Sequence, residues 1–223
     1  MTCLNKQTAN GASNRLMHKK DILIIDYGVG NLESVRTALD ALRVSYRVSS
    51  LPEDIASADA YILPGVGAFA EAMKNVESRG LIEPLRREVL QNGKPLLGIC
   101  LGMQILAEDS TENGSHKGLG FIPGHVVRIP ERAGFPVPHV GWNEVALQKK
   151  EPLFAKLDEG TRFYFDHSYH FEAAPEDVAA TCDYGGGITA AVQHKNIFGV
   201  QFHPEKSQNS GLRLIRAFIN YAF

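Results

Sequence analysis

Apolar positions recur along this chain in more than one period, and each change of period predicts a change of element. Ile22-Leu23-Ile24-Ile25 is an unbroken branched run that stops at Asp26-Tyr27-Gly28-Val29-Gly30. Being continuous rather than alternating, it reads as a strand buried on both faces, followed by a turn. Asn31 then stands as a cap before Leu32, Val35, Leu39 and Leu42, which share a helix face, and residues 46–48 supply a second strand. This is a β-α-β unit. Residues 60–63 predict a third strand running into Pro64-Gly65-Val66-Gly67, and residues 69–92 predict one or two helices broken near Gly80 and Pro84. Residues 95–99 predict a fourth strand. Such alternation argues for a parallel sheet with right-handed crossovers, whose ligands sit beyond the carboxyl ends of the strands. From Gly118 onward the helical period gives way to short strand-like runs at 125–129, 161–165, 178–181, 188–192 and 198–202. A closing helix over residues 210–223 places Leu212, Ile215, Phe218 and Ile219 on one face.

Composition narrows the class. The chain has 223 residues, 44% hydrophobic and 22% charged, which suits one globular domain and excludes a disordered chain. The net charge of −2, with no block of like charges, gives no reason to expect binding to nucleic acid or to an anionic membrane. No apolar run approaches the roughly 18 residues of a membrane-spanning helix. Residues 1–20 are polar, without the apolar core of a secretory signal, so they predict a disordered leader before a domain at 21–223 and a cytoplasmic location. Cys3, Cys100 and Cys182 form no C-x-x-C pair, and an odd count leaves room for one reactive thiol.

That thiol is Cys100. Lys94-Pro95-Leu96-Leu97-Gly98-Ile99-Cys100-Leu101-Gly102-Met103-Gln104 has the form of a nucleophile elbow, with cysteine in place of serine and an expected helix over 103–108. Glycines two positions to either side make room for the crowded turn. A thiol at a helix N-terminus also feels the positive end of the helix dipole, which favours the thiolate, and the Leu101 N–H faces the same turn. On composition alone Cys100 would be one more buried apolar residue; the strand and flanking glycines argue otherwise. A thiol nucleophile needs a base and a group to orient it. Phe198-Gly199-Val200-Gln201-Phe202-His203-Pro204-Glu205 offers both at a strand end, where residues two apart face one side. Gly65-Val66-Gly67 lies at another strand end and can turn an N–H toward a developing oxyanion; it lacks the spacing of a phosphate loop.

The ordered set Gly-Ile-Cys-Leu-Gly-Met-Gln, Pro-Gly-Val-Gly and Phe-His-Pro-Glu resembles the triad (class I) glutamine amidotransferases. Asp26-Tyr27-Gly28-Val29-Gly30-Asn31-Leu32, Pro138-His139-Val140-Gly141-Trp142-Asn143 and His203-Pro204-Glu205-Lys206-Ser207 narrow it to the glutaminase subunits of imidazole glycerol phosphate synthases. The resemblance covers residues 21–223. It implies a flavodoxin-like α/β fold with a mostly parallel central sheet flanked by helices and a β-rich second half. It implies Cys100, His203 and Glu205 as the triad, Gly65, Val66, Gly67 and Leu101 at the oxyanion hole, and Gln104, Ser168, Tyr169 and His170 along the glutamine pocket. Asn31, Trp142 and Lys206 match positions near the interface with a cyclase subunit, a (β/α)₈ barrel that takes the ammonia in a heterodimer serving histidine biosynthesis. It further implies an oxyanion loop that is misaligned until the partner binds, and no metal or organic cofactor.

The main alternative is a paralogous glutaminase that feeds another synthase, such as one amidating a sugar. A non-catalytic subunit would need a broken triad, and a cysteine peptidase would explain the elbow but not the Phe-His-Pro-Glu end. His167 and His170 invite a metal reading, but the strand-like Phe163-Tyr164-Phe165 before them and the lack of a third ligand nearby argue against it. Two features depart from the family: the leader, within which Met17 is an alternative start, and Asp166, where an apolar residue is usual.

Overall fold

The computed structural model describes residues 20–223; the expected leader, with Met17 and Cys3, lies outside the described residues apart from Lys20. Strand β1 (Ile22–Ile25) is followed by α1 (Leu32–Ala41), whose first turn is capped by Asn31 Oδ1 accepting from the Ser34 N–H at 3.4 Å. Next come β2 (Tyr46–Ser49), α2 (Pro52–Ser57), β3 (Ala60–Gly65), α3 (Phe69–Ser78) and α4 (Ile82–Leu85), which runs on as a π-turn over Arg86–Gln91. Gly80 ends α3 as expected. Pro84 breaks nothing: it stands in the first turn of α4, where a missing N–H costs no hydrogen bond.

β4 (Leu96–Cys100) leads straight into α5 (Leu101–Gln104), far shorter than the helix expected over 103–108. Short β5 (Asp109–Ser110) and β6 (His116–Lys117) precede β7 (Gly124–Arg128), β8 (His139–Glu144), β9 (Ala146–Leu147), β10 (Arg162–His167) and β11 (Tyr169–Ala173). β12 (Val178–Asp183), β13 (Gly187–His194), β14 (Ile197–Val200) and α6 (Gln208–Ala222) complete the chain.

The main sheet has the order β2-β1-β3-β4-β14-β13-β12-β9. Pairing is parallel from β2 through β14 and antiparallel beyond. Its first five strands follow the flavodoxin-like order. Both faces are covered, so Ile22 and Ile24 enter one apolar cluster with Val35, Leu39, Leu214 and Phe218 of α1 and α6. Leu23 and Ile25 enter the other, with Phe69, Val76 and Leu85 of α3 and α4. That double burial is why β1 carries no polar alternation. β8 pairs with β10, and β11 with β7, in two smaller sheets. Pro138 before β8 and residues 166–169 at the junction of β10 and β11 thereby line the same cavity as Cys100 and Val66 at the carboxyl ends of β4 and β3. Among the described residues no helix is long and apolar enough to cross a membrane.

Candidate active site

Cys100 is the last residue of β4 and holds φ 54° and ψ −112°, outside the regions an L-residue favours. The turn closes only because its neighbours lack side chains: a methyl group on Gly102 would overlap the Leu63 carbonyl, and one on Gly98 would sit 2.6 Å from the Gly102 oxygen. With four residues, α5 is too short to supply the dipole of a full helix. The charge partner is instead His203. Its Nδ1 lies 2.7 Å from Glu205 Oε1, and the two side chains are 3% and 2% exposed. Burial opposes a charge on the ring, but hydrogen bonds to Cys100 and Glu205 outweigh it and push the His203 pKa up to about 10.

β14 ends at Val200, before the expected strand end, and His203 caps a 3-10 turn over Pro204–Lys206. It is this turn, not strand alternation, that brings Glu205 back onto His203. The turn is pinned to β10: the His203 N–H donates to the Tyr164 carbonyl at 2.8 Å, the Ser207 hydroxyl donates to the His203 carbonyl at 2.6 Å, and the Tyr164 N–H donates to Ser207 Oγ at 3.0 Å.

Cys100, His203, Val66, Gly67, Leu101, Gln104, Ser168 and Tyr169 line one cavity of about 330 Å³. Glu112, Pro138, Asp166 and His167 complete it. A larger groove of about 590 Å³ between α6 and residues 151–156 lies away from this chemistry. Among the described residues no three His, Cys, Asp or Glu side chains are grouped to hold a metal ion.

A glutamine amidotransferase class-I family model matches residues 23–220. The chain belongs to the class-I glutamine amidotransferases. Within that family it groups with subunit HisH of imidazole glycerol phosphate synthase. It is 48% identical over 202 residues to HisH of Streptococcus sanguinis, covering 91% of this chain and 97% of that one. It is 46% identical over 198 residues to HisH 1 of Campylobacter jejuni, covering 89% and 98%. A solved glutamine amidotransferase, 21% identical, superposes with a TM-score of 0.71 over 90% of this chain and 98% of that one, which shows the shared fold.

In this amidotransferase the expected residues do not all converge. His170 faces away from the Cys100 cavity and lines a separate one with Arg132, Glu172 and Gly185–Gly187, because it stands one residue along β11 from Tyr169 and strand neighbours point to opposite faces. Val66 lines the Cys100 cavity, yet its N–H donates to the Val29 carbonyl at 3.0 Å, so it is not aimed at an oxyanion in this conformation. Leu101 keeps the first helical position, where an N–H has no intrahelical acceptor. Gly65, its place in β3 hemmed in by Tyr27 and Gly102, does not line the cavity. Trp142 and Lys206 meet over one ring: the indole is edge-on to Tyr164 at 6.3 Å and Lys206 Nζ lies 5.6 Å from the same centroid. Asn31 serves as the α1 cap and has no such contact with them. Asp166 is exposed at the cavity rim, where its carboxylate stays solvated; its backbone carbonyl lies 4.0 Å from Cys100 Sγ.

Sequence reasoning missed two residues. Glu112, whose Oε2 accepts from the Phe69 N–H at 2.6 Å, brings a carboxylate to the cavity. Its polar surroundings in sequence carry no periodic signal. Gln201 is fully buried, and its Nε2 lies 3.7 Å from Cys100 Sγ. A lone amide in the apolar run Phe198 to Phe202 was the available signal.

Proposed function

We propose that this chain hydrolyses L-glutamine through a Cys100-His203-Glu205 triad and passes the ammonia to a cyclase subunit, a (β/α)₈ barrel, that makes imidazole glycerol phosphate in histidine biosynthesis. The observation that carries the chemistry is the single cavity lined by a strained cysteine, the histidine that Glu205 holds from behind, and the Glu112 carboxylate. The names of the relatives support the pathway and a subunit partner.

Glu205 holds Nδ1 of His203, so Nε2 faces the thiol and accepts its proton. The thiolate attacks the side-chain amide carbon of glutamine, and the oxyanion that forms is met by the Leu101 N–H and the Gly65–Gly67 loop. His203 returns its proton to the departing nitrogen, ammonia leaves, and a thioester remains on Cys100. Water, deprotonated by His203, then attacks the thioester; glutamate departs and the thiol is restored. Glu112 suits the α-ammonium group of the substrate, and Gln104, Ser168 and Tyr169 frame its carbon chain.

With the Val66 N–H spent on Val29, the chain alone lacks one oxyanion donor. Turning that peptide between Gly65 and Gly67 releases it, and we assign that step to docking of the cyclase. Asn31, Trp142 and Lys206 belong to the interface in this reading. One amidotransferase domain over residues 21–223 and a cytoplasmic setting complete the proposal; a thiol nucleophile is kept reduced there.

The test is glutamine hydrolysis by the chain alone and then with the cyclase from the same genome and that subunit's nucleotide ligand, with Cys100→Ala as control. We expect strong stimulation that the substitution abolishes. An active cyclase that gives no stimulation moves the ammonia to another synthase, and hydrolysis that survives Cys100→Ala overturns the chemistry.

A further inference from the structure

The triad leaves several buried polar groups without a task, and they are joined end to end. Asn143 Nδ2 donates to the Asp183 carbonyl at 3.0 Å and faces His139 Nε2 at 3.5 Å. His139 Nδ1 lies 3.0 Å from His167 Nε2, and His167 Nδ1 lies 2.8 Å from the Tyr169 carbonyl. The same carbonyl accepts from Gln104 Nε2 at 2.9 Å, Gln104 Nε2 also donates to Gln201 Oε1 at 3.0 Å, and Gln201 Nε2 reaches Cys100 Sγ at 3.7 Å.

Every member of this chain has one permitted orientation. A carbonyl only accepts, so His167 carries its proton on Nδ1 and leaves Nε2 as an acceptor. His139 must therefore donate from Nδ1, and its Nε2 accepts from Asn143. From the other side, the Tyr169 carbonyl draws the Gln104 amide nitrogen, which presents a proton to Gln201 Oε1. Gln201 is thereby held with its N–H, not its carbonyl, toward the sulfur. A reversed amide would set a negative oxygen against the thiolate.

We propose that Gln201 is a donor to the Cys100 thiolate and that His139 and His167 are positioning residues, in one hydrogen-bonded chain that links strand β8 to the nucleophile. His139 is clamped for this role between Phe165 and Tyr184, stacked at centroid distances of 4.6 and 3.8 Å. Burial pushes His139 down to about 4 and His167 down to about 3, so both rings are neutral at pH 7 as the chain requires. β8 has two faces in this scheme. His139 and Asn143 hold the far end of the chain, while Val140 and Trp142, 53% and 40% exposed, look outward. Whatever seats on that outward face bears on the strand that anchors the nucleophile's supports.

Only the kinetic arm of the test rests on the glutaminase reading. In the unmodified, ¹⁵N-histidine-labelled full chain, NMR at neutral pH reads the tautomers directly, and both rings should carry the proton on Nδ1; a proton on Nε2 of either ring overturns the proposal. In the second arm, iodoacetamide alkylation of Cys100 is followed by mass spectrometry of its peptide. Gln201→Met keeps length and loses the donor, and should slow alkylation about tenfold, the low end for a hydrogen bond to a charged group. Alkylation at the native rate refutes the donor role. In the third arm, hydrolysis with the cyclase present, His167→Leu should lower kcat about tenfold with KM within about twofold. His167→Asn, which returns an N–H toward the Tyr169 carbonyl, should recover most of the loss. Equal defects in two variants that melt alike would show a merely structural role. If the native protein hydrolyses no glutamine, the functional reading falls while the first two arms still decide the chain.

Discussion

Cys100 spends stability on geometry. At φ 54° and ψ −112° any Cβ is strained, and only glycine is at ease there. Glycine normally costs roughly 0.5–1 kcal/mol against alanine through backbone entropy. Here the order should invert: Cys100→Gly should be more stable than Cys100→Ala by about 1 kcal/mol in urea unfolding, with both variants inactive. Cys100→Ala more stable than Cys100→Gly, the ordinary order, would mean that the elbow is unstrained. Glu205 acts on its neighbour in a different way. Because it helps hold the His203 pKa up near 10, Glu205→Gln should move the His203 titration midpoint down in an NMR titration and lower kcat by roughly 10- to 100-fold. These residues were legible in sequence because a nucleophile elbow and a His-x-Glu pair are local patterns, although the pair is closed by a 3-10 turn and not by the strand alternation expected. Gln201 and Glu112 were not, since their meaning comes from contacts across the sheet and with α3.

Among the elements, the segment after α4 shows what local patterns miss. Residues 86–91 have helical composition but wind as a π-turn, and Glu88 ties that turn to the start of β4. Its Oε2 meets Lys94 Nζ at 2.8 Å and accepts from Asn92 Nδ2 at 2.9 Å, while Oε1 faces Arg87 at 2.9 Å. The Lys94 hydrogen bond, with help from Asn92 and Arg87, outweighs burial and holds the carboxyl down at about 2, against 4.5 ordinarily. A carboxyl more acidic folded than unfolded binds fewer protons in the native state, so its stabilisation is complete above about pH 4.5 and is lost as pH falls toward 2. Glu88→Gln should therefore lower the melting temperature at pH 7 and flatten its fall between those limits. A parallel shift at every pH would mean that the carboxylate is not the group responsible. β1, β3 and β4 were readable because they are buried on both faces, and α1 and α3 because each is buried on one. β8 and β11 escaped notice because polar residues occupy them: His139 and His170 are buried, and alternate β8 positions are exposed.

On the scale of the molecule, the two halves divide the work. The parallel half supplies the strand ends on which Cys100 and the Gly65–Gly67 loop stand, and the β-rich half supplies the wall, the His203 anchor on β10 and the outward face of β8. That face carries Val140 and Trp142, while Val66 of the cavity rim is 39% exposed. Large apolar side chains left in water on strands that also frame a reactive cavity are expected where a partner seats, and a central aromatic there carries a disproportionate share of binding. Trp142 already rests edge-on to Tyr164 beside Lys206, so it is held ready and little ordering is lost on docking. Trp142→Ala should raise the cyclase concentration needed for half-maximal stimulation of glutamine hydrolysis by about 10- to 30-fold, the loss typical of a buried aromatic anchor. Titrating the cyclase against each variant reads this. An unchanged midpoint with a lower plateau would instead assign Trp142 to signalling through β8, and an unchanged curve would move the docking face elsewhere.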